Sequence, residues 1–514
     1  MLLLTSVGAF MTPLDGSIVS VALPAIGPAL RLRFTDAIWV QASYLLAISI
    51  LLIPFGRLAD AHGRLRFYLA GVVVFTIGST AAALSVDALW LIAARCLQGA
   101  GGALLGATSA ALVTAAFPPS ERGRVLGINV TAVYLGLAVG PPLGGVLVDQ
   151  LGWRWIFLVN IPIGIATFIM GWRLLKAAGG RRLDASFAAE ISAISGSPSA
   201  SSVALSAVSA LRAQSPSARR IGASRAVDLP GAGLLGLMLA ALLVPLTLAP
   251  LWGWLSVATI GLLALSAVAL VAFVIVEGRV SEPMLDLDLL RRNRLFAAAN
   301  LAALLNYMAM HGVTVLTAVF LEVVQHRPAQ DAGLLLLAQP ALMAALSSWA
   351  GRLSDRIGSR APATAGMAIV AAGMSLLAFM PSHASTARVM LSLAVVGVGM
   401  AAFSTPNTSA VMGSVDRSRL GVASAFVGTM RFTGQALSVA VLGGIAASQL
   451  GSAGSRVLLL GGPVAATGGA ARAAAAIAAA DYADGYRWAM LVGAVLALIG
   501  AAVSLVRPSQ TSAL

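Results

Sequence analysis

The chain has 514 residues, 59% of them hydrophobic and 10% charged, with a mean hydropathy of +0.92. A soluble globular protein would carry about 25% charged residues, so the composition excludes that class and calls for a lipid environment. The formal net charge of +14 comes from basic residues spread along the chain, with no zinc, helix-turn-helix or RNA-binding signature beside them. That argues against a nucleic-acid partner and for membrane topology.

The apolar runs, bounded by charge or by Gly/Pro clusters, are about 18 to 29 residues long. That is the length of an α-helix crossing a hydrocarbon core of about 30 Å, whereas barrel strands would be about ten residues and alternate. Six runs fill residues 1–176: Leu2–Ile26, Ala37–Leu58, Phe67–Leu84, Leu89–Ala116, Val125–Val148 and Trp155–Leu175. The first continues past the length of a signal-peptide core and lacks a basic start, so it reads as a retained anchor; a short basic tail upstream of Met1 is an open alternative. The Ala/Ser-rich stretch 177–226 has the composition of a cytoplasmic linker. Residues 227–294 hold two further runs, Leu229–Ala249 and Leu255–Val276, joined by a turn around Trp252 and Trp254, then a charged connection. They read as a helical hairpin with an interfacial aromatic anchor. Six more runs occupy 295–514: Leu295–Val323, Ala332–Leu353, Ala363–Met380, Val389–Val411, Val422–Ala447 and Trp488–Val506. Between the last two, alanine makes AARAAAAIAAAD (470–481) too weakly apolar for a span, so 448–487 reads as a long external loop. The expected fold class is an all-α polytopic membrane protein, two six-helix bundles with two extra transmembrane helices between them, 14 in total.

With the amino terminus inside, internal loops and the tail carry 23 Lys/Arg and external loops 8. The positive-inside rule then places both termini in the cytoplasm. GRLADAHG at 56–63 recurs as GRLSDRIG at 351–358, each directly after the second helix of its six-helix set. Two related halves facing a midplane site is the plan of many secondary transporters. Cys96, the single cysteine, excludes an intrachain disulfide.

Asp15 is the costliest residue where it stands. A carboxylate near the middle of a membrane helix costs about 2.5–3.5 kcal/mol on insertion scales, which makes it a functional candidate whose partner must be sought. Of the 19 carboxylates, the other 18 fall at helix ends or in loops. Burial and a nearby cation move a carboxyl group's proton affinity in opposite directions, so alternating exposure can load and unload a proton. A satisfied helix-packing pair is the competing reading. Arg95 is a second expensive group; it either faces a wet cavity or a partner, or snorkels to an interface.

Several motifs bear a resemblance. Gly56-Arg57-Leu58-Ala59-Asp60-Ala61-His62-Gly63-Arg64-Leu65-Arg66, Arg95-Cys96-Leu97-Gln98-Gly99-Ala100-Gly101-Gly102-Ala103, and Gly136-Leu137-Ala138-Val139-Gly140-Pro141-Pro142-Leu143-Gly144-Gly145 are similar to motifs of the major facilitator superfamily, and more narrowly its fourteen-helix drug:proton antiporters. LDGSIVSVALP at 14–24, WRWIF at 153–157 and NIPIG at 160–164 also match. The resemblance implies the major facilitator fold and a proton-coupled exporter of amphiphilic drugs or antibiotics in the cytoplasmic membrane. It implies no enzymatic activity, no metal and no cofactor beyond the proton-motive force. The expected partners are the lipid bilayer, a small amphiphilic substrate and protons, with a monomer as the working unit. It further implies proton coupling at Asp15 with Arg95, a cytoplasmic gate at Gly56, Asp60, Gly63, Arg64, Arg66, Gly351, Asp355 and Arg356, and an export-specific helix at Gly136, Gly140, Pro141, Gly144 and Gly145.

Ala61 stands where the family has arginine, so Asp60 must pair with Arg64, Arg66 or a helix amino terminus. An ordinary positive-inside loop is the plainer reading of the gate, and a structural kink that of the Gly-Pro segment. Gln98, Asn306, His311, Asn407 and Arg431 are cavity candidates; His311 is read either as a proton relay or as a pore-lining polar group, and Arg431 as substrate contact or packing. A uniporter or importer of a small metabolite, a non-transporting sensor and a membrane-embedded enzyme are the alternatives. The four histidines are scattered over different segments, and the single lysine, Lys176, rules out a P-loop pump.

Overall fold

The computed structural model describes residues 1–117, 122–176, 228–280, 287–416, 420–459 and 469–507, so the linker expected at 177–226 lies outside the described residues. Fourteen described helices are long and apolar enough to cross a membrane. In chain order they are α1 Leu2–Leu30, α2 Phe34–His62, α3 Arg64–Ala83, α4 Ala88–Val113, α5 Gly127–Leu151, α6 Trp155–Lys176, α7 Pro230–Trp252, α8 Val257–Glu277, α9 Arg294–Val324, α10 Ala329–Ile357, α11 Arg360–Ala378, α12 Thr386–Gly413, α13 Ala423–Gly451 and α14 Gly469–Leu505. Lipid offers backbone groups no hydrogen-bond partner, so each apolar run satisfies its own as a helix.

Helices α1–α6 pack into one bundle and α9–α14 into another. The halves meet along two seams, α2 against α13 and α5 against the start of α10. The inserted hairpin is not a third bundle. Its first helix, α7, lies across α2 and α13 together, while α8 packs on α7. Close approach there needs small residues: a Cβ on Gly236 would lie 3.2 Å from Ile50, and Gly444 of α13 abuts the Leu246 carbonyl.

The two repeat loops lie at one end of the bundles, here called the motif face. Gly63 and Gly358 both have positive φ, 109° and 83°, and each separates two helices of its half. A side chain there would be strained, which explains glycine at the same place in both copies.

The long loop expected at 448–487 is corrected. Helical structure runs on past α13 to Val457, with a break at Gly451, and α14 begins at Gly469. Alanine is weakly apolar but the best helix former, so composition hid a helix that propensity favours. At 1.5 Å per residue the 37 residues of α14 span about 55 Å, well beyond the hydrocarbon core, so its first turns project past it. Those turns are anchored: the Tyr482 hydroxyl donates to the Leu316 carbonyl (2.9 Å), and Tyr486 stacks on Phe320 at 4.7 Å between centroids. The number of crossings stays at fourteen.

Candidate functional site

Asp15 lies on α1 and is fully buried. Facing it on α4 are Arg95 and Gln98, three residues apart and therefore on one helix face. Glycines thin the neighbouring surfaces: Cβ atoms on Gly101 and Gly78 would come within 2.6 Å of the Phe75 Cα and 2.7 Å of the Gln98 Cα, so α3 and α4 touch backbone to backbone. This contact carries Ser79 of α3 into the site.

Arg95 Nη1 forms a salt bridge with Asp15 Oδ2, both side chains wholly shielded from solvent. Asp15 Oδ1 accepts from Gln98 Nε2 (2.6 Å) and from Asn160 Nδ2 of α6 (3.0 Å). Gln98 Nε2 also donates to Ser79 Oγ (2.8 Å), and its Oε1 accepts from Arg95 Nη1 (2.5 Å). Arg95 Nε donates to the Val40 carbonyl (3.1 Å), and the guanidinium carbon lies 4.1 Å from the Tyr44 ring centroid. Arg95 therefore does not snorkel; it is the counter-ion of Asp15. Such a pair contributes little net stability, yet removing one partner costs about 3–5 kcal/mol because the other charge is stranded. Among the described residues Arg95 Nη2 and Asn160 Oδ1 have no hydrogen-bond partner, so the network has spare donor and acceptor capacity.

The surroundings of Asp15 also reach the other half. Gln41 Nε2 on α2 donates to the Gly16 carbonyl (2.6 Å), beside Asp15, and lies 3.4 Å from His311 Nε2 on α9. His311 thus touches the first half through Gln41.

The glycine-proline segment of α5 divides its work. Gly136, Gly140 and Gly144 face α1 at Phe10, Ser17 and Ile18, and the Ser17 hydroxyl donates to the Gly136 carbonyl (3.3 Å). Gly145 instead faces the other half at Ala329 and Gln330 of α10, while Gly333 of α10 meets the Pro141 carbonyl. Asp149 Oδ2 completes this seam by accepting the Gln330 N–H (2.8 Å), capping α10 from across the interface. The halves are thus interlocked toward the face opposite the motif loops.

At the motif face, Arg64 Nε donates to Asp60 Oδ1 (2.6 Å) and Arg64 Nη1 to the Ala111 carbonyl (3.3 Å). Asp60 and Arg64 keep 59% and 38% of their side-chain surface exposed, so the pair is worth about 0–1 kcal/mol. Arg66, Asp355 and Arg356 are exposed, and Gly56 and Gly351 half-buried. Asp60→Asn is expected to leave the melting temperature within a few degrees of wild type while slowing the transport cycle. Thermal unfolding and initial transport rates on one preparation check both halves of that statement.

The remaining cavity candidates separate. Asn306 is buried and donates to Met400 Sδ (3.2 Å), and Asn407 accepts from Arg507 Nη2 (2.5 Å), so both face the interior of their own bundle. Burial lowers the Arg507 guanidinium to about 10, still charged at neutral pH. Gln98 belongs to the Asp15 network. Arg431 is the candidate that faces between halves: it is half-buried and acts electrostatically on Tyr134 of α5, which also feels Tyr307 of α9 and lies 3.3 Å from Ser404 of α12.

Gln41, Ser79 and Asn160 went unselected in the sequence, whereas Glu322 was the acid it offered as the best candidate for a second carboxylate beside Asp15. Gln41 interrupts an apolar run and was a readable signal; Asn160 sits in NIPIG, where its motif gave no role. Glu322, placed by sequence at an outer helix end, is half-buried two residues before the end of α9.

The chain matches the Major Facilitator Superfamily over residues 5–285, 195–439 and 299–513. It is 35% identical over 450 residues to the "Multidrug resistance protein Stp" of Mycobacterium tuberculosis (strain CDC 1551 / Oshkosh), covering 87% of this chain and 76% of that protein. It is 28% identical to the "Tetracenomycin C resistance and export protein" of Streptomyces glaucescens, over 88% of this chain and 76% of that one. The "Riboflavin transporter RibZ" of Clostridioides difficile (strain 630) is also 28% identical, over 87% of this chain and 88% of that one. A crystal structure of a bacterial homolog of the human lysosomal transporter Spinster, inward-facing and occupied, superposes with a TM-score of 0.64 at 16% identity, covering 98% of this chain and 96% of that one. Twelve apolar helices in two packed halves with an inserted hairpin, and a loop motif at matching places in each half, agree with these likenesses: the chain belongs to the Major Facilitator Superfamily and is a multi-pass membrane transport protein, not an enzyme.

Proposed function

We propose that this transporter is a proton-coupled antiporter that exports amphiphilic drugs or antibiotics across the cytoplasmic membrane, with both termini in the cytoplasm and a monomer as the working unit. The observation that carries the reading is the buried network of Asp15, Arg95, Gln98 and Asn160, an ionisable pair whose partners come from three helices of one half. Rocking of the halves acts on it through Gln41, which joins the Gly16 carbonyl beside Asp15 to His311 of the other half, and a carboxylate losing its cation gains a proton. The names of the relatives in Mycobacterium and Streptomyces support the substrate class. Arg431, with Tyr134 and Tyr307, supplies a cation and aromatic faces between the halves, suited to a compound with an acidic or aromatic group and unsuited to a dication.

In inverted vesicles, substrate addition is expected to release protons from the vesicle interior, and cells carrying the protein should resist a subset of an antibiotic panel. Substrate movement that ignores the proton gradient would leave the uniporter or importer reading, which the riboflavin-transporter relative keeps in view. A reporter fused after Arg507 should be active on the cytoplasmic side.

A further inference from the structure

Arg507 is a buried cation that the function above does not use. It lies two residues past the end of α14 and is 1% exposed, yet among the described residues no carboxylate forms a salt bridge with it. Its Nη2 donates to Asn407 Oδ1 of α12 (2.5 Å), while Nε and Nη1 have no hydrogen-bond partner among the described residues, so most of its N–H donors are idle. Burial acts on its proton affinity with no acid to offset it, and the group stays charged at neutral pH. Folds ordinarily pair a cation that they shut away from water, because an uncompensated one is costly.

The packing fixes where this cation stands. Ala302 of α9, Ala363 and Met367 of α11, Phe403 of α12 and Ala501 of α14 form one buried apolar cluster. Helix α11 starts beside Gly358 at the motif face, and α12 and α14 run toward that face. Asn407 follows Phe403 by one turn and Ser504 follows Ala501 by one turn, so both lie on the motif side of the cluster, and both are buried. The Ser504 hydroxyl also has no hydrogen-bond partner among the described residues. A cation, the amide that steadies it and an idle hydroxyl thus share one level, with an apolar floor beneath. Asp355 and Asp416, the acids of this half near the same end, are exposed and make no salt bridge to it.

A planar guanidinium matches the oxygens of an oxyanion better than it matches a spherical ion. A tetrahedral phosphate can give oxygens to the guanidinium and keep another for a hydroxyl, whereas a carboxylate has only its two. We propose that Arg507, steadied by Asn407 and with Ser504 beside it, is the recognition residue of a phosphate site at the motif-face end of the second half. The phosphate comes as the free ion or as a phospholipid headgroup. In either form its oxygens accept from Nε, Nη1 and the Ser504 hydroxyl, and its charge supplies the missing counter-ion. The site is separate from the Asp15 network and from Arg431, and it does not depend on the direction of transport.

The test uses the full-length protein in maltoside micelles washed free of phosphate and lipid. Thermal unfolding is followed while sodium phosphate is added at constant ionic strength, with chloride as the balancing ion, and in a parallel series while phosphatidylglycerol is added. The Tm is expected to rise and saturate as for one bound ligand, and the series that responds identifies the source. Arg507→Gln can still donate to Asn407; it is expected to lose the response and to melt no lower than wild type without phosphate, since it discards an uncompensated charge. Asn407→Asp sets a carboxylate beside the guanidinium in place of the phosphate. That variant should melt higher than wild type without phosphate and no longer respond, and it carries the test if Arg507→Gln yields no folded protein. A wild type that responds to neither ligand, or an equal response in Arg507→Gln or Asn407→Asp, overturns the site. Proton exchange is no part of this readout, so failure of the antiport reading leaves the site standing.

Discussion

Asp15→Asn is expected to reduce substrate-driven proton exchange in inverted vesicles to the level of vesicles lacking the protein. Asparagine preserves the size of the side chain and its ability to accept from Gln98 and Asn160, so geometry is nearly kept while the titrating group is gone. Arg95 is then left buried without its counter-ion, and the stability loss is expected to approach about 3–5 kcal/mol. A second variant separates the two effects. Asp15→Asn combined with Arg95→Gln removes both charges, which for a buried pair is often nearly neutral. The double variant should regain most of the single variant's lost thermal stability and none of its proton exchange. Wild-type exchange in either variant would show that Asp15 is a packing residue.

Gly145→Val should shift the protein toward the state in which the seam opposite the motif face is open. Any Cβ at Gly145 would overlap the Ala329 carbonyl of the other half, and valine adds two methyl groups there. Overpacking of this kind costs about 1–3 kcal/mol. Because the clash exists while the halves are interlocked and vanishes when they part, the cost falls on one state. That corresponds to a population shift of about 5–150-fold. In a Cys96→Ser background, spin labels at Gln150 of α5 and Leu334 of α10, both exposed, should read a longer distance than without the valine, and transport should fall. Gly140→Val makes the contrast: its clash is with Ser17 of the same half, present in both states, so folded yield drops without a change in the open fraction. Equal behaviour of the two variants would defeat this division of the α5 motif.

Much of this was legible because lipid simplifies the problem. A run long enough to span becomes a helix, so fourteen crossings and the repeat at 56–63 and 351–358 could be read without tertiary information. Asp15 and Arg95 could be selected because each is expensive where it stands, though it took the fold to show that they answer one another. The weak points were those where hydropathy and another property diverge. Residues 469–487 are too alanine-rich to look apolar yet form helix. Asn407 looked like a cavity residue because sequence gives a polar residue's depth and not its facing; in the fold it turns inward to Arg507.

The hairpin has a consequence for traffic through the bilayer. With α7 laid across α2 and α13, one flank of the molecule is doubly walled, while the α5–α10 flank has no such second layer among the described residues. The two-fold plan of the halves is thereby broken into a back and a front. A membrane-dissolved compound approaching sideways at the back meets two layers of helix before it reaches the seam between α2 and α13.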